Sequence, residues 1–393
     1  MPIDLQELGR KCRRLRSEIL DMSIDTAAER TGIAATRLTA IEGGKVEPSG
    51  DEVLILADVY GEPLDYFITS ERSASIEKAS DLYRMYGDTF TSADRQSIQE
   101  FLKLCRMEHE IESLLGARPR VFDFLPGRVH SHLKTYGKQT AEKLRLDLGL
   151  GDAPIANPFQ LARTLGCHVF RRTLQNSKVS GLMLRHEVFG PCILVNFSDD
   201  IFRQNFSVAH ELCHAVLDHD CKITVSFEKE RDEVAEDRRQ REWRANSFAS
   251  HLLFPQSVRE RVQLGASDDD HVRAVRRASA SYKVNPVVVL YALQDAKRLT
   301  ERQVATLKPG LKVPQEQKED ADLAGETARV RDRRGRDLAS GLSPEYVETC
   351  LRACREGEIS VGRLADALLV SPGELAEVLT DLGYTFQPGE VSA

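Results

Sequence analysis

The sequence lacks several features that would assign a protein to a class. Its 393 residues contain no uninterrupted apolar run of the roughly 20 residues that a membrane-spanning helix needs. The net charge is −7, so no overall positive charge marks the protein as nucleic-acid binding. Residues 1–5 are not a basic stretch followed by an apolar one, so we predict no secretory signal and no membrane partner.

The cysteines also lack a pattern. There are eight, they are scattered, and none forms a CxxC pair. Without a signal peptide, this usage is typical of reduced thiols, and we predict a cytoplasmic location. The shares of hydrophobic residues (41%) and charged residues (29%) are ordinary for a globular protein, and the length predicts two or three domains.

One stretch, residues 206–217, carries the clearest chemical pattern. His210 and His214 are four residues apart, so on a helix they project from one face and can bind one metal ion. Glu211 lies beside His210 and is placed to act as a general base toward a water molecule. An HExxH match by chance is expected in on the order of one chain in a hundred of this length, usually on a charged helix. This match lies in apolar sequence, which favours a core helix.

A second helix, predicted over residues 241–254 and ended by Pro255, offers the third ligand. Glu242 would complete a His2Glu site that leaves a position open, which is the catalytic rather than the structural zinc pattern. Asn246 lies one turn further along the same face and could orient a ligating histidine through its outward ring nitrogen. Zn²⁺ is the expected metal, although Mn²⁺ or Fe²⁺ could occupy the same ligands.

These motifs resemble the ImmA/IrrE metallopeptidase family. HELCH is followed by E-W-R-A-N-S-F-A-S-H-L-L-F-P, and the family has HExxH and then ExxAN-x-FA-x-x-LL-x-P. The resemblance covers roughly residues 130–300. It implies a zincin-like peptidase domain with a small sheet, with His210, His214 and Glu242 as ligands and Glu211 as base.

The first 70 residues read as five short helices, with a helix, a glycine turn at Gly32 and a second helix in sequence. The order of residues resembles the Cro/C1-type (XRE) DNA-binding domain over its whole length. Thirteen acidic side chains against eight basic ones make this region acidic. The candidate DNA contacts are Thr36, Arg37, Thr39 and Lys45, and the alternative is a fold retained for dimerisation or for docking a partner.

The fold class that follows is α+β and mainly helical, in five parts. We predict a five-helix helix-turn-helix domain (1–70), a helical connector (71–128), the peptidase domain (129–307), a polar linker (308–340) and a small helical C-terminal domain (341–393). The connector could support a homodimer.

The resemblance implies a regulatory zinc endopeptidase that cleaves a Cro/C1-type repressor. Proteins of this joined architecture often belong to stress-response, mobile-element or phage-defence loci, so a repressor or toxin protein is an expected substrate or partner. The alternative function is a non-proteolytic DNA-binding transcriptional regulator or antitoxin-like partner, in which the metal site is structural or senses a signal. A gel shift across salt concentrations separates the two.

Overall fold

The structure is a computed structural model in which residues 4–62, 64–68, 74–86, 89–116, 134–176, 178–227, 236–311, 320–325 and 327–384 are described. By its contacts the chain forms two compact units. One contains Met1–Glu110 with Thr173–Asn176 and His186–Phe189, and the other contains Ile111–Arg172, Ser177–Arg185 and Gly190–Ala393. The predicted fold class, α+β and mainly helical, is confirmed.

Seven helices begin in the described part of the first unit. They are α1 Leu5–Arg14, α2 Ile24–Thr31, α3 Ala35–Glu42, α4 Gly50–Tyr60, α5 Leu64–Ile68, α6 Ala74–Tyr86 and α7 Ser92–Leu114. The prediction of five short helices in the N-terminal domain is confirmed, with a π-helical turn, Leu15–Ile19, continuing α1. The last part of the predicted connector, residues 117–128, lies outside the described residues.

Local signals explain the turn between α2 and α3. The Ser23 hydroxyl accepts a hydrogen bond from Thr26 N (3.1 Å), which caps the start of α2. Gly32 ends α2 with a φ of 69°, a left-handed conformation that glycine adopts without steric cost. Leu8, Leu15 and Leu38 are buried and hold the helices together.

The second unit contains the remaining described elements. Its helices are α8 Lys134–Asp147, α9 Pro158–Thr164, α10 Ile201–Leu217, α11 Glu236–Leu253, α12 Gln256–Arg261, α13 Asp268–Tyr282, α14 Pro286–Asp295, α15 Glu301–Leu307, α16 Ala328–Ala339, α17 Pro344–Arg355, α18 Val361–Ala367 and α19 Leu375–Asp381. Its strands are β1 His168–Arg172, β2 Val179–His186, β3 Gly190–Asn196 and β4 Ile223–Phe227.

The described strands form one four-stranded sheet in the order β1-β3-β2-β4. β1 runs parallel to β3, and β2 runs antiparallel to β4, with Leu182 opposite Val225. Strand β4 was missed from the sequence, although Ile223-Thr224-Val225-Ser226-Phe227 alternates apolar and polar residues as strands do. Its place at the end of the order makes it an edge strand, next to the helix that carries the histidines.

The segment predicted as a polar linker, residues 308–340, contains the helix α16 and a stretch anchored to the sheet. Arg171 on β1 is 3% exposed and pairs with Asp320 and Asp322, each through a 2.6 Å contact. Arg172 Nη1 donates to Ser340 O (2.6 Å) at the outer edge of β1. These contacts correct the linker prediction for the described residues from 320 onward, because polar side chains there neutralise a buried arginine rather than solvate a tether. Residues 312–319 lie outside the described part.

Candidate metal centre and active site

Helix α10 passes through the core of the second unit. The Asp200 side chain begins it by accepting hydrogen bonds from Phe202 N (3.0 Å) and Arg203 N (3.3 Å). Fourteen of its seventeen residues are buried, including both histidines of the motif and Glu211. It packs against α9, α11, β3 and β4. A rigid buried helix therefore fixes the two imidazoles on one side.

The two histidines and Glu242 of α11 converge on one point. His210 Nε2 lies 3.1 Å from Glu242 Oε2 and 3.1 Å from His214 Nε2, and His214 Nε2 lies 3.7 Å from Glu242 Oε1. Bonds of about 2.0–2.1 Å to a tetrahedral zinc ion place neighbouring ligand atoms about 3.3–3.4 Å apart. The observed spacings bracket that value, so the donor set fits a divalent cation. In the described residues this is the one group of three or more such side chains close enough to share an ion.

The outward ring nitrogens of both histidines have acceptors. Asn246 Oδ1 lies 3.0 Å from His210 Nδ1, the contact expected for Asn246 from its place on the helix face. Asp218 Oδ2 lies 2.7 Å from His214 Nδ1. These contacts accept the Nδ1 proton of each ring and turn the Nε2 atoms toward Glu242.

Asp218 was missed in the sequence, although it follows His214 by one helical turn. It ends α10 and is 1% exposed. Its other oxygen, Oδ1, contacts the buried Arg244 of α11 and lies 3.4 Å from Arg241 Nη1. The pairing spans two helices, which is why a pattern confined to one helix did not reveal it.

The ionisation of these groups follows from their burial and their neighbours. Burial alone would lower the pKa of His214, but Glu242 and Asp218 outweigh burial and raise it to about 10. Burial would raise the pKa of Asp218, but His214 and Arg244 lower it to about 2. For Glu242 the two histidines likewise outweigh burial and hold the pKa below its usual range. The ligand carboxylate is therefore ionised at neutral pH, as metal binding requires.

Glu211 is fully buried beside His210 and His214. The Thr224 hydroxyl of β4 donates a hydrogen bond to its Oε2 (3.3 Å). Burial raises the pKa of this carboxyl, and the neighbouring histidines oppose the shift. A Cβ atom at Gly181 of β2 would lie 3.3 Å from Glu211 Oε1 and 3.0 Å from Leu194 O, so the glycine leaves the space that the carboxyl occupies.

A cleft of about 640 Å³ opens beside the triad. His210, Glu242 and Asn246 line it together with Ser226 and Phe227 of β4. The triad therefore has an accessible side, and that side is bordered by the edge strand. His219 and His251 are close to the motif in sequence but do not line this cleft, and His251 is buried with its Nδ1 donating to Ser247 O (2.8 Å).

The candidate DNA contacts lie on or next to α3 in the first unit. Thr36, Thr39 and Lys45 are exposed. Arg37 is instead engaged within the domain, because its Nε and Nη2 donate to the two carboxylate oxygens of Glu52 (2.9 and 2.8 Å). This pairing lowers the pKa of Glu52 to about 2.

Comparison with protein families agrees with both motifs. Residues 162–294 match the family described as the IrrE N-terminal-like domain, a peptidase family. The chain therefore carries an IrrE-like peptidase domain. Residues 14–67 match the helix-turn-helix family, so this domain is joined to a Cro/C1-type helix-turn-helix domain, as the sequence motifs predicted. No curated protein matches the chain at a significant level.

The matched ranges place His210, His214 and Glu242, which could hold a metal ion, inside the peptidase domain. The two matches support a peptidase joined to a DNA-binding class of domain, with a protein as the expected kind of substrate. Across the described residues no helix combines the length and apolar character that crossing a membrane requires.

Proposed function

We propose that this IrrE-like protein is a zinc-dependent regulatory endopeptidase that cleaves a Cro/C1-type transcriptional repressor. The observation that carries the proposal is the convergence of His210, His214 and Glu242 beside the buried Glu211, with His210 and Glu242 lining an accessible cleft. Two imidazoles and one carboxylate, with one side open, are the ligand set of catalytic rather than structural zinc sites.

His210, His214 and Glu242 would hold the cation, with Zn²⁺ expected and Mn²⁺ or Fe²⁺ as alternatives. The cation would supply Lewis-acid polarisation of the scissile carbonyl group. Asn246 and Asp218 keep the two imidazoles oriented through their Nδ1 atoms. Metal analysis of the purified chain distinguishes the three ions.

Glu211 would act as the general base. Its carboxylate takes a proton from the attacking water and returns it to the leaving amine. The Thr224 hydroxyl positions the carboxyl for both transfers through its hydrogen bond. The missing side chain at Gly181 leaves room for the carboxyl.

Strand β4 would bind the substrate backbone. It is the edge strand on the side of the cleft, and an edge strand can pair with an extended peptide through main-chain hydrogen bonds. Pairing there would align the scissile bond beside the metal ligands.

The fused N-terminal domain would bind DNA or a partner protein and bring the peptidase to its substrate. Thr36, Thr39 and Lys45 are exposed and suited to contact DNA, whereas Arg37 is engaged with Glu52. A homodimer and a cytoplasmic location complete the proposal. Sedimentation of the full chain tests the first, and cell fractionation tests the second.

Replacement of the base tests the function. The full chain and its Glu211→Gln variant are each co-produced with a Cro/C1-type repressor from the same genome, and metal content and repressor fragments are measured. We expect equal metal content, with cleavage in the wild type alone. Equal cleavage by both would refute the proposed chemistry, and salt-sensitive operator binding without any cleavage would favour the non-proteolytic regulator or antitoxin-like alternative.

A further inference from the structure

Most of the charged residues that line the cleft beside the metal-ligand triad are cations. Arg203, Arg238, Arg239 and Lys308 line it, and Glu242 is the one carboxylate among the described lining residues. Because Glu242 is directed at the two histidines, its charge serves the metal centre. The net charge of the described wall that a substrate meets is therefore positive.

These cations come from separate elements of the second unit. Arg203 lies in the first turn of α10, Arg238 and Arg239 lie at the start of α11, and Lys308 follows α15. Charged residues on one helix often form a solvated face, but here the packing of three elements brings them to one cleft.

Carboxylates outside the lining pair with Arg203 and Arg239, which reduces but does not cancel the charge. Arg203 Nε lies 3.1 Å from Asp199 Oδ2, and Arg239 pairs with Glu236. Lys308 Nζ contacts a neutral group, since it lies 3.0 Å from the Tyr291 hydroxyl.

Arg238 connects the charge of the cleft to the edge strand. Its Nη2 donates to Val225 O of β4 (3.2 Å). A substrate strand that adds to β4 needs backbone acceptors of this kind, so its amide would compete with the guanidinium. An acidic substrate side chain would give the displaced guanidinium a new acceptor.

We propose that this cleft selects protein segments that carry Asp or Glu within a few residues of the scissile bond. The inference rests on the proposed endopeptidase function and names its substrate class. An acidic side chain gains attraction from the cations in the cleft, whereas a lysine or arginine at the same place is repelled. Arg238 and Lys308 are the specificity-determining residues.

Peptide cleavage measures the preference. The zinc-loaded full chain is given three peptides that differ only by Glu, Gln or Lys at one position within a few residues of the scissile bond. An ion pair between partly exposed groups changes an equilibrium or rate constant by roughly 1.4- to 5-fold. We therefore expect kcat/KM to fall in the order Glu, Gln, Lys by factors in this range. The differences should shrink in high salt, which screens exposed charges. Equal rates for the three peptides, or faster cleavage of the lysine peptide, would overturn the inference.

The Lys308→Glu variant assigns the preference to the cleft. It should reduce or reverse the advantage of the Glu peptide over the Lys peptide. Arg352→Glu is the matched control, because Arg352 lies on α17, is 54% exposed and does not line the cleft. The control should keep the wild-type order, and an equal change in both variants would contradict a local effect.

Binding to the Glu211→Gln chain separates this inference from the proposed function. Fluorescence anisotropy with the same labelled peptides reports charge preference without cleavage. If the wild type cuts none of the peptides but the Glu211→Gln chain binds the Glu peptide more tightly than the others, the inference stands and the endopeptidase function is refuted. Cleavage without a charge preference would refute the inference alone, and neither cleavage nor preferential binding would refute both.

Discussion

The buried carboxylate of Asp218 should control both metal affinity and stability. It is 1% exposed, and its two oxygens face His214 Nδ1 at 2.7 Å and the buried Arg244. In Asp218→Asn the side chain is neutral and has one acceptor oxygen, so His214 Nδ1 and the Arg244 guanidinium both lose a charged acceptor, and only one of them can keep a neutral one.

Loss of the charged acceptor behind a metal-binding histidine is expected to lower metal affinity by about 10- to 100-fold, which corresponds to about 1.4–2.7 kcal/mol. A buried arginine left without its partner lowers the free energy of unfolding by about 3–5 kcal/mol. Competition with a chromogenic chelator measures the first quantity, and urea denaturation of the metal-free chain measures the second.

The matched control is Asp220→Asn. Asp220 also pairs with an arginine, Arg241 at 2.9 Å, but it is 70% exposed and does not contact a ligating histidine. We expect a loss of less than about 1 kcal/mol of stability and unchanged metal affinity. Metal affinity of Asp218→Asn within twofold of the wild type would refute the orienting role of Asp218.

Three further predictions follow from single contacts. Gly181→Ala should lower kcat/KM by about ten- to hundredfold at unchanged metal content, because its Cβ crowds Glu211 Oε1 at 3.3 Å; full activity would contradict this packing. Arg171→Ala should lower the free energy of unfolding in urea by about 3–5 kcal/mol, because Asp320 and Asp322 lose the guanidinium that pairs with them. An unchanged midpoint of urea unfolding would show that these ion pairs do not anchor the segment. Lys45→Ala should weaken DNA binding on all sequences and reduce the slope of log affinity against log salt concentration by about 1. An unaltered slope in gel shifts would show that Lys45 does not contact DNA.

The part of the site that lies on one helix was predictable from residue spacing. His210 and His214 are four apart, and the apolar residues around them indicated a buried helix. Glu242 and Asn246 lie more than 25 residues further along, and their identification depended on the resemblance as well as on helical spacing. The structure brings these predicted residues together.

The features that were missed depend on packing between elements. Asp218 gains its importance from Arg244 on another helix, and Arg37 is held by Glu52 of α4 rather than left for DNA. The polar composition of residues 308–340 resembled a linker because a buried ion pair and a flexible tether use the same residue types. Strand β4 is different, because the alternation of apolar and polar residues in its sequence is enough to predict a strand.

The most direct test of the account is anomalous diffraction from crystals of the full chain grown with zinc. We expect one strong peak bonded to His210 Nε2, His214 Nε2 and the Glu242 carboxylate, at about 2.0–2.2 Å from each. The absence of a peak between these three side chains, or a peak held by other residues, would contradict it.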